Sequence, residues 1–525
     1  MASPYHTEET VTTNRDVAAA WSYHDGTKHS LDSLRRDPHS LDWGNQPLAF
    51  KVYTEVEQVP LPQEWPSADM ATLQAIAAYP SSVAEPCVPD LPTLAALLYL
   101  SAGITKRRSY PGGEIYFRAA ACTGALYHID LYLVCSDLPG LAAGVYHFGP
   151  HDFALHRLRE GDYRGALVRA SAQDSGVGHA PATLVCTSTY WRNAWKYQAR
   201  TYRHCFWDVG TLLANFLAAA AALFPAARIV TGFVDAEVNR LLDLDSEREV
   251  ALALVPLGRD LVPVPADAPP VAPLGLPTVP LSKTAVDYPA IRAMHAASSL
   301  QTPAEVQAWR TSVTPMHHAA PSGELFLLAP VSEGALPPTP LATVIQHRGS
   351  ARNFAREPIS FAQLSMLLTQ TTRGIPADFL PAADRSLTDL YLIVHAVDGL
   401  PSGAYVFHRD RLALELLCAG IFRKEAGYLG LGQQLPADAS VALFCLTDLS
   451  AVLQQLGNRG YRAAQCEAAI IGGKCYLAAY GQGLGATGLT FFDDDVIEFF
   501  SPHAAGKSVM FLTAIGKPAK QQRLV

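Results

Sequence analysis

Self-similarity constrains this chain more than any other feature. Asp130-Leu-Tyr-Leu133 recurs as Asp389-Leu-Tyr-Leu392, and Gly144-Val-Tyr-His-Phe148 recurs as Gly403-Ala-Tyr-Val-Phe407. Ala154-Leu155 and Leu158 return as Ala413-Leu414 and Leu417, Tyr202-Arg203 as Tyr461-Arg462, and Phe233 and Asp235 as Phe492 and Asp494. Each pair is 259 residues apart. A constant offset over so many positions marks a duplicated domain, each copy holding roughly 200 residues.

A Pro-rich stretch, residues 261–282, separates the copies and reads as an extended, semi-rigid linker. Residues 66–260 form the first domain and 283–525 the second, and residues 1–65 read as an irregular extension that wraps the core. Both copies predict the same order. A helix comes first (Leu91–Ala102; Phe361–Gln370), followed by a strand (Ile129–Cys135; Leu390–Ala396) and a hairpin through the Gly-Val-Tyr and Gly-Ala-Tyr segments. Another strand (Ala182–Ser188; Val441–Thr447), a long apolar helix (Tyr202–Phe224; Tyr461–Tyr480) and a final strand (Val250–Leu257; Ser508–Ile515) complete each copy. Hairpins with segregated helices predict an α+β fold with a mostly antiparallel sheet. The long helices, apolar nearly all round, are expected to be buried where the copies meet.

Composition narrows the function. Hydrophobic residues make up 49% and charged residues 17%, enough apolar material for a large core. A net charge of −8 argues against nucleic acid or an anionic membrane as partner. The N-terminus is polar and acidic, unlike a secretory signal. The apolar run Leu212–Phe224 is too short and Ala-rich to favour a membrane span. Nine scattered cysteines without CxxC spacing predict reduced thiols and a cytoplasmic protein.

Three motifs are set aside. Gly483-Leu-Gly485-Ala-Thr-Gly488 matches GxGxxG, but a long helix precedes it and a β-like run follows, the reverse of a dinucleotide fingerprint. Gly506-Lys507-Ser508 lacks the first glycine of a P-loop. Asp493-Asp494-Asp495 reads as the N-terminus of a helix, its carboxylates capping free N–H groups, rather than as a metal site; no metal is expected.

Chemistry concentrates elsewhere. Gln346-His-Arg348-Gly-Ser350-Ala-Arg352-Asn-Phe354 sets two arginines and a serine within five residues, a set of charge-assisted donors for a phosphate or, on spacing alone, a solvated basic turn. The RxSxR-x-F pattern before a helix resembles the N-terminal signature of the nitroreductase superfamily. The resemblance implies an FMN cofactor whose phosphate and ribityl chain are held by Arg348, Ser350 and Arg352. It places Gly485, Ala486 and Thr487 beside the flavin pyrimidine edge, and Lys517 or Lys520 at the phosphate. In the first copy, Arg118-Ala-Ala-Ala-Cys122-Thr123-Gly124-Ala125-Leu126-Tyr127-His128 resembles the R-A-A-P-S-A-G-A-L-Y-P segment of the SagB/ThcOx branch, which includes azoline oxidases of ribosomal-peptide pathways. There a loop of small residues lets backbone approach the flavin ring, implying ring contacts at Thr123, Gly124 and Ala125. The usual Pro-Ser is here Ala121-Cys122. Trp195-Lys196-Tyr197-Gln-Ala-Arg200-Thr-Tyr202-Arg203 is close to the branch's K-Y-x-x-R-x-Y-R, implying Lys196 and Tyr197 as catalytic proton-transfer groups. Tyr202-Arg203 and Tyr461-Arg462, present in both copies, read as structural. Tyr23-His24-Asp-Gly-Thr27-Lys28-His29-Ser30 and Leu41-Asp42-Trp43 resemble the same branch's lead-in.

Nitroreductases place two FMN molecules at a twofold interface, each site drawing on both subunits. A fused pair implies the same interface within one chain, an intrachain pseudo-dimer open to further association. Phosphate-binding residues survive only in the second copy: Tyr79-Pro-Ser-Ser-Val-Ala-Glu-Pro-Cys-Val-Pro89 carries no base. The small-residue loop survives only in the first, since Pro381-Ala-Ala-Asp384-Arg385-Ser386 carries charge. The implied function is an FMN-dependent oxidoreductase with one flavin per chain, moving a hydride between FMN and a small molecule or modified peptide. The alternatives are an NAD(P)H-dependent nitro or quinone reductase, and a non-catalytic flavin- or peptide-binding scaffold.

Overall fold

Ile129–Cys135 is buried along its whole length, as a strand must be when sheet neighbours flank it on both edges and layers cover both faces. In the computed structural model, which describes residues 13–36, 38–79, 86–110, 113–223, 227–330, 332–382 and 385–519, it lies between Gly144–Gly149 and Ala182–Thr189. The full order of this six-stranded sheet is Glu57–Pro60, Ala154–Glu160, Gly144–Gly149, Ile129–Cys135, Ala182–Thr189, Glu249–Leu257. The second copy repeats the order with Glu324–Leu327, Ala413–Ala419, Gly403–His408, Asp389–Val394, Val441–Thr447 and Ser508–Gly516, and adds Gly485–Leu489 beyond its last strand. Every pairing within these two sheets is antiparallel. The fold is α+β, two like units fused into an intrachain pseudo-dimer.

The long helices Thr201–Leu223 and Asn458–Gly481 are buried almost throughout and pack against each other. Small residues allow the approach: a Cβ on Gly210 would stand 2.6 Å from the Ala469 Cβ, and one on Gly473 would stand 2.6 Å from the Ala214 Cβ. The segment Tyr190–Leu223 is long and apolar enough to cross a membrane by composition alone, but its apolar window is 83% buried inside this fold.

The N-terminal extension is more regular than the sequence implied. It holds the helices Ala18–Gly26 and Leu31–Arg36, and Glu57–Pro60 is the edge strand of the first sheet. It also has a counterpart: the edge strand Glu324–Leu327 and the helix Pro289–Ala297 occupy the same places in the second copy. His24 and Thr27 answer to His295 and Ser298 at a different offset, so a search at 259 passes over them.

Arginines at the start of each long helix tie the two copies together reciprocally. Arg203 donates to Asp493 (2.6 Å), to the His24 carbonyl (2.6 Å) and to Thr27 Oγ1 (3.0 Å). Arg462 donates to Asp235 (2.7 Å), the His295 carbonyl (2.9 Å) and Ser298 Oγ (2.9 Å). Arg200 and Arg459 bind the other oxygen of the same aspartates at 3.1 and 2.7 Å and stack over Phe491 and Phe233. Tyr461 reaches His24 and Tyr202 reaches His295, both at 3.4 Å. The counterparts of Phe233 and Asp235 are therefore Phe491 and Asp493, one residue earlier than the sequence alignment placed them. The aspartates are not caps: the Asp493–Phe500 helix has no side-chain cap. Asp493 turns inward to the arginines, Asp494 pairs with Lys28 and Asp495 accepts from Tyr428.

Candidate functional site

The segment Arg118–His128 crosses from a surface hairpin to the central strand, and one carboxylate fixes its course. Asp208, on the first long helix, accepts from the Thr123 N–H (2.9 Å), Thr123 Oγ1 (2.7 Å) and the Cys122 thiol (3.0 Å). His128 Nε2 lies 2.8 Å from its second oxygen, and His128 Nδ1 lies 2.8 Å from Ser188 Oγ. Burial, reinforced by Asp208, pushes the Cys122 thiol well up, so it stays a protonated donor. Cys122, His128 and Asp208 bring metal-ligand atoms within 4.8 Å of one another, but each atom is engaged in this hydrogen-bonded hub. A cavity of about 20 Å³, room for one water, lies behind the loop against Cys122, Tyr127, Asp208 and Arg118. Both polar groups of Thr123 face Asp208.

The hub leaves Gly124 at the surface with φ 62. A Cβ there would stand 2.8 Å from the Tyr197 hydroxyl, so glycine is required twice over, by conformation and by space. Tyr197 closes the helix Tyr190–Tyr197 and packs edge-on against His204 at 4.5 Å. Burial, with smaller contributions from Asp208 and Cys122, pushes its phenol well above the ordinary tyrosine range. The Lys196 amine is half-buried and lies 5.3 Å from the Tyr197 ring centre. The extension straps this helix: Trp195 donates to the Asp42 carbonyl at 3.0 Å and meets the Trp43 ring edge-on at 5.3 Å.

The second copy reaches the same loop. Arg348, just after the helix Leu341–His347, donates from Nε to the Ala119 carbonyl (3.0 Å) and from Nη2 to the Arg118 carbonyl (3.1 Å), with its guanidinium over Tyr476. The Tyr476 hydroxyl lies 3.1 Å from Ser350 Oγ and accepts the Gly488 N–H at 2.5 Å. The Ala351 N–H donates to the Ala486 carbonyl at 2.9 Å. Gly485, Ala486 and Thr487 are buried in the strand Gly485–Leu489, beside the Arg348–Arg352 turn. Arg352 is exposed and forms no ion pair among the described residues. The Ala355 N–H donates to the Lys517 carbonyl and the Ala519 N–H to the Asn353 carbonyl, so the chain end runs alongside Arg352. Lys517 is half-exposed, 3.5 Å from Glu357; Lys520 lies outside the described residues.

Arg348, Ser350, the Gly485–Thr487 strand and the Thr123–Ala125 loop are thus brought to one seam between the copies, with Lys196 and Tyr197 on its first-copy side. The sequence reading missed Asp208 and Tyr476, both buried in long apolar helices. A signal for Asp208 existed: 259 residues on stands Glu467, which accepts from Leu387 N–H, Ser386 Oγ and Thr388 Oγ1 in the second copy.

Comparison with known proteins agrees with this architecture. Residues 96–259 match the nitroreductase family. A candidate nitroreductase of Methanocaldococcus jannaschii is 26% identical over 182 residues, 34% of this chain and 87% of that protein. The microcin B17-processing protein McbC of Escherichia coli is 28% identical over 154 residues, 28% of this chain and 53% of that one. The crystal structure of a candidate nitroreductase from Anabaena variabilis superposes with a TM-score of 0.76 at 27% identity, covering 95% of this chain and 99% of that one. Residues 96–259 thus carry a nitroreductase-family domain, and the chain as a whole has the nitroreductase fold.

Proposed function

We propose that the chain is an FMN-dependent dehydrogenase with one flavin site, at the seam where Arg348 meets the Arg118–Ala125 segment, and that it acts on a modified peptide or small molecule. That single contact carries the reading, since it joins the cationic turn of one copy to the slim loop of the other. Two further observations support an FMN fit. Gly124 presents backbone without a side chain, the surface a flat ring needs. Arg348 uses Nε and Nη2 on carbonyls and keeps other donors of its five, while Arg352, Ser350 and Lys517 stand nearby as further phosphate partners.

FMN, when bound, supplies the two-electron redox chemistry. The chain's own residues set orientation and proton supply. Tyr197 holds its proton at neutral pH, so in dehydrogenation its phenol oxygen, which lies against Gly124, relays the proton the substrate loses, taking it as the phenol gives up its own to solvent. Lys196, its amine 5.3 Å from the centre of that ring, stabilises the negative charge that builds on the phenol oxygen during the relay. Asp208 fixes the loop and thereby the distance between Tyr197 and whatever rests on Gly124.

The mirror-related place lacks these groups. Ala78 follows the helix Thr72–Ala77 as Arg348 follows Leu341–His347, and its carbonyl packs against Gly374. The buried amine of Lys474, pulled down to about 7 by burial, donates to the Gly374 carbonyl at 2.8 Å. This favours one flavin per chain. McbC's name refers to microcin B17 processing, and the Lys196-Tyr197 pair sits at the loop; both favour peptide dehydrogenation. The two nitroreductase-named relatives favour nitro or quinone reduction with NAD(P)H as the second reading. Nine free cysteines favour a cytoplasmic setting.

Turnover of an azoline-containing peptide, measured beside that of a quinone with NADPH, separates the two reactions. Tyr197→Phe is expected to keep its flavin absorbance and lose roughly a hundredfold or more in turnover on the true substrate. Unchanged turnover with full flavin content would remove Tyr197 from the chemistry.

A further inference from the structure

The hairpin Ile104–Tyr110 and Gly113–Arg118 belongs to neither large sheet. It is peculiar to the first copy: among the described residues the second has no strand pair between Thr371 and Asp389. It runs directly into the candidate site, since the last residue of its second strand, Arg118, and the next, Ala119, give their carbonyls to Arg348.

Its two faces differ. Beyond the bulge at Ile104/Lys106, Arg107 pairs with Tyr116 and Ser109 with Glu114. On this face Tyr116 rests against Phe50 at 5.2 Å, and Glu114 is engaged by Tyr116 and Ser109. The opposite face carries Lys106, Arg108, Tyr110, Ile115 and Phe117 and no acidic residue. Lys106, Arg108, Tyr110 and Ile115 are exposed there. Two cations with no ion pair among the described residues, Arg108 lying over the Phe117 ring at 5.7 Å, stand among apolar side chains; on a protein of net charge −8 they form a surface that attracts acid and buries apolar groups. With only two strands, each also leaves an outer edge of backbone N–H and C=O groups to pair with an added strand.

We infer that this hairpin docks an extended acidic peptide segment with apolar residues between its carboxylates, and so presents the substrate to the seam. The inference rests on the oxidoreductase reading for its purpose but not for its binding, so the two can fail separately. Strand addition supplies backbone pairing, and Lys106 and Arg108 select carboxylates.

Fluorescence anisotropy on the full-length protein tests it, with a short labelled peptide alternating glutamate and valine and a glutamine–valine peptide as the neutral control. The glutamate peptide is expected to bind, more weakly as salt rises. Lys106→Glu with Arg108→Glu should weaken it roughly tenfold or more at unchanged melting temperature and flavin content. Arg107→Glu, on the other face, should change it less than about threefold. The inference is overturned if the glutamine peptide binds as well, if the double variant binds normally, or if that variant loses NADPH relative to NADH while keeping the peptide, which would make the cations a dinucleotide-phosphate site. Absence of flavin from the wild-type protein would sink the proposed function and leave the peptide result to judge the hairpin alone.

Discussion

Gly124 and Asp208 show how little chemistry a loop needs to be held and how much depends on it. Replacing Gly124 by alanine adds a Cβ at a positive φ, costing about 1 kcal/mol, and sets it 2.8 Å from the Tyr197 hydroxyl. Gly124→Ala is therefore expected to weaken flavin binding, with Tyr197→Phe restoring part of it; a double-mutant cycle on flavin affinity measures the coupling. Asp208→Asn removes the anionic acceptor of three donors and should lower unfolding stability by about 1–3 kcal/mol, read from urea titration. The Arg348 turn and the Thr123–Ala125 loop were legible in the sequence because their residue types are unusual for bland turns. The direction of the Thr123 hydroxyl, toward Asp208, was not legible, because sequence order gives proximity but not orientation. Asp208 was hidden because one acid in an apolar helix reads as core tolerance until its repeat mate Glu467 is set beside it.

At the scale of elements, the long helices and central strands were plain from apolar length and β-branched runs, and the structure ends them within a few residues of the expected positions. The repeat in the extension was not plain, because the helices at Ala18–Gly26 and Pro289–Ala297 share few side chains. They are alike in what they offer: a backbone carbonyl and a hydroxyl to an arginine. Burial opposes ionisation of Asp235 and Asp493, but Arg459 with Arg462 and Arg200 with Arg203 outweigh it and hold both carboxyls well below the usual range. Removing one partner leaves a buried charge exposed to that penalty. Arg203→Ala and Arg462→Ala should each cost about 3–5 kcal/mol, and by similar amounts, because the clamp is reciprocal; a large inequality would show that only one half is in use.

The same clamp makes stability pH-dependent. Burial, then Arg462, pulls His295 down to about 3; burial, then Arg200, pulls His29 to about 3. These rings are neutral in the fold and gain protons on unfolding below their free value of about 6.5. Their penalty is absent above that pH and grows as pH falls below it. The aspartates, depressed in the fold, contribute fully above about 4 and lose that contribution as pH falls through the acid range. Melting temperature is thus expected to decline in two stages, from below about pH 6.5 and again below about pH 4. His29→Asn with His295→Asn should shrink the first stage without abolishing it, since burial also holds His24, His204 and His395 below the free value, and leave the second unchanged, as read by calorimetric scans across pH.

At the scale of the molecule, duplication has made the halves alike in what holds them together and unlike in what they offer a ligand. The clamps and the paired long helices are symmetric, whereas Arg348 has Ala78 as its counterpart, the Thr123–Ala125 loop has a charged segment as its counterpart, and among the described residues the hairpin has no twin. A fused pair needs no second chain to complete the seam, so flavin should stay bound on dilution to concentrations where dimers part. The most direct measurement is the molar ratio of FMN to chain in purified, flavin-saturated protein, from flavin absorbance after denaturation against amino-acid analysis. A ratio of one per chain, lost with Arg348→Ala, is the result expected. A ratio of two, or a single flavin indifferent to Arg348, would contradict the asymmetric site.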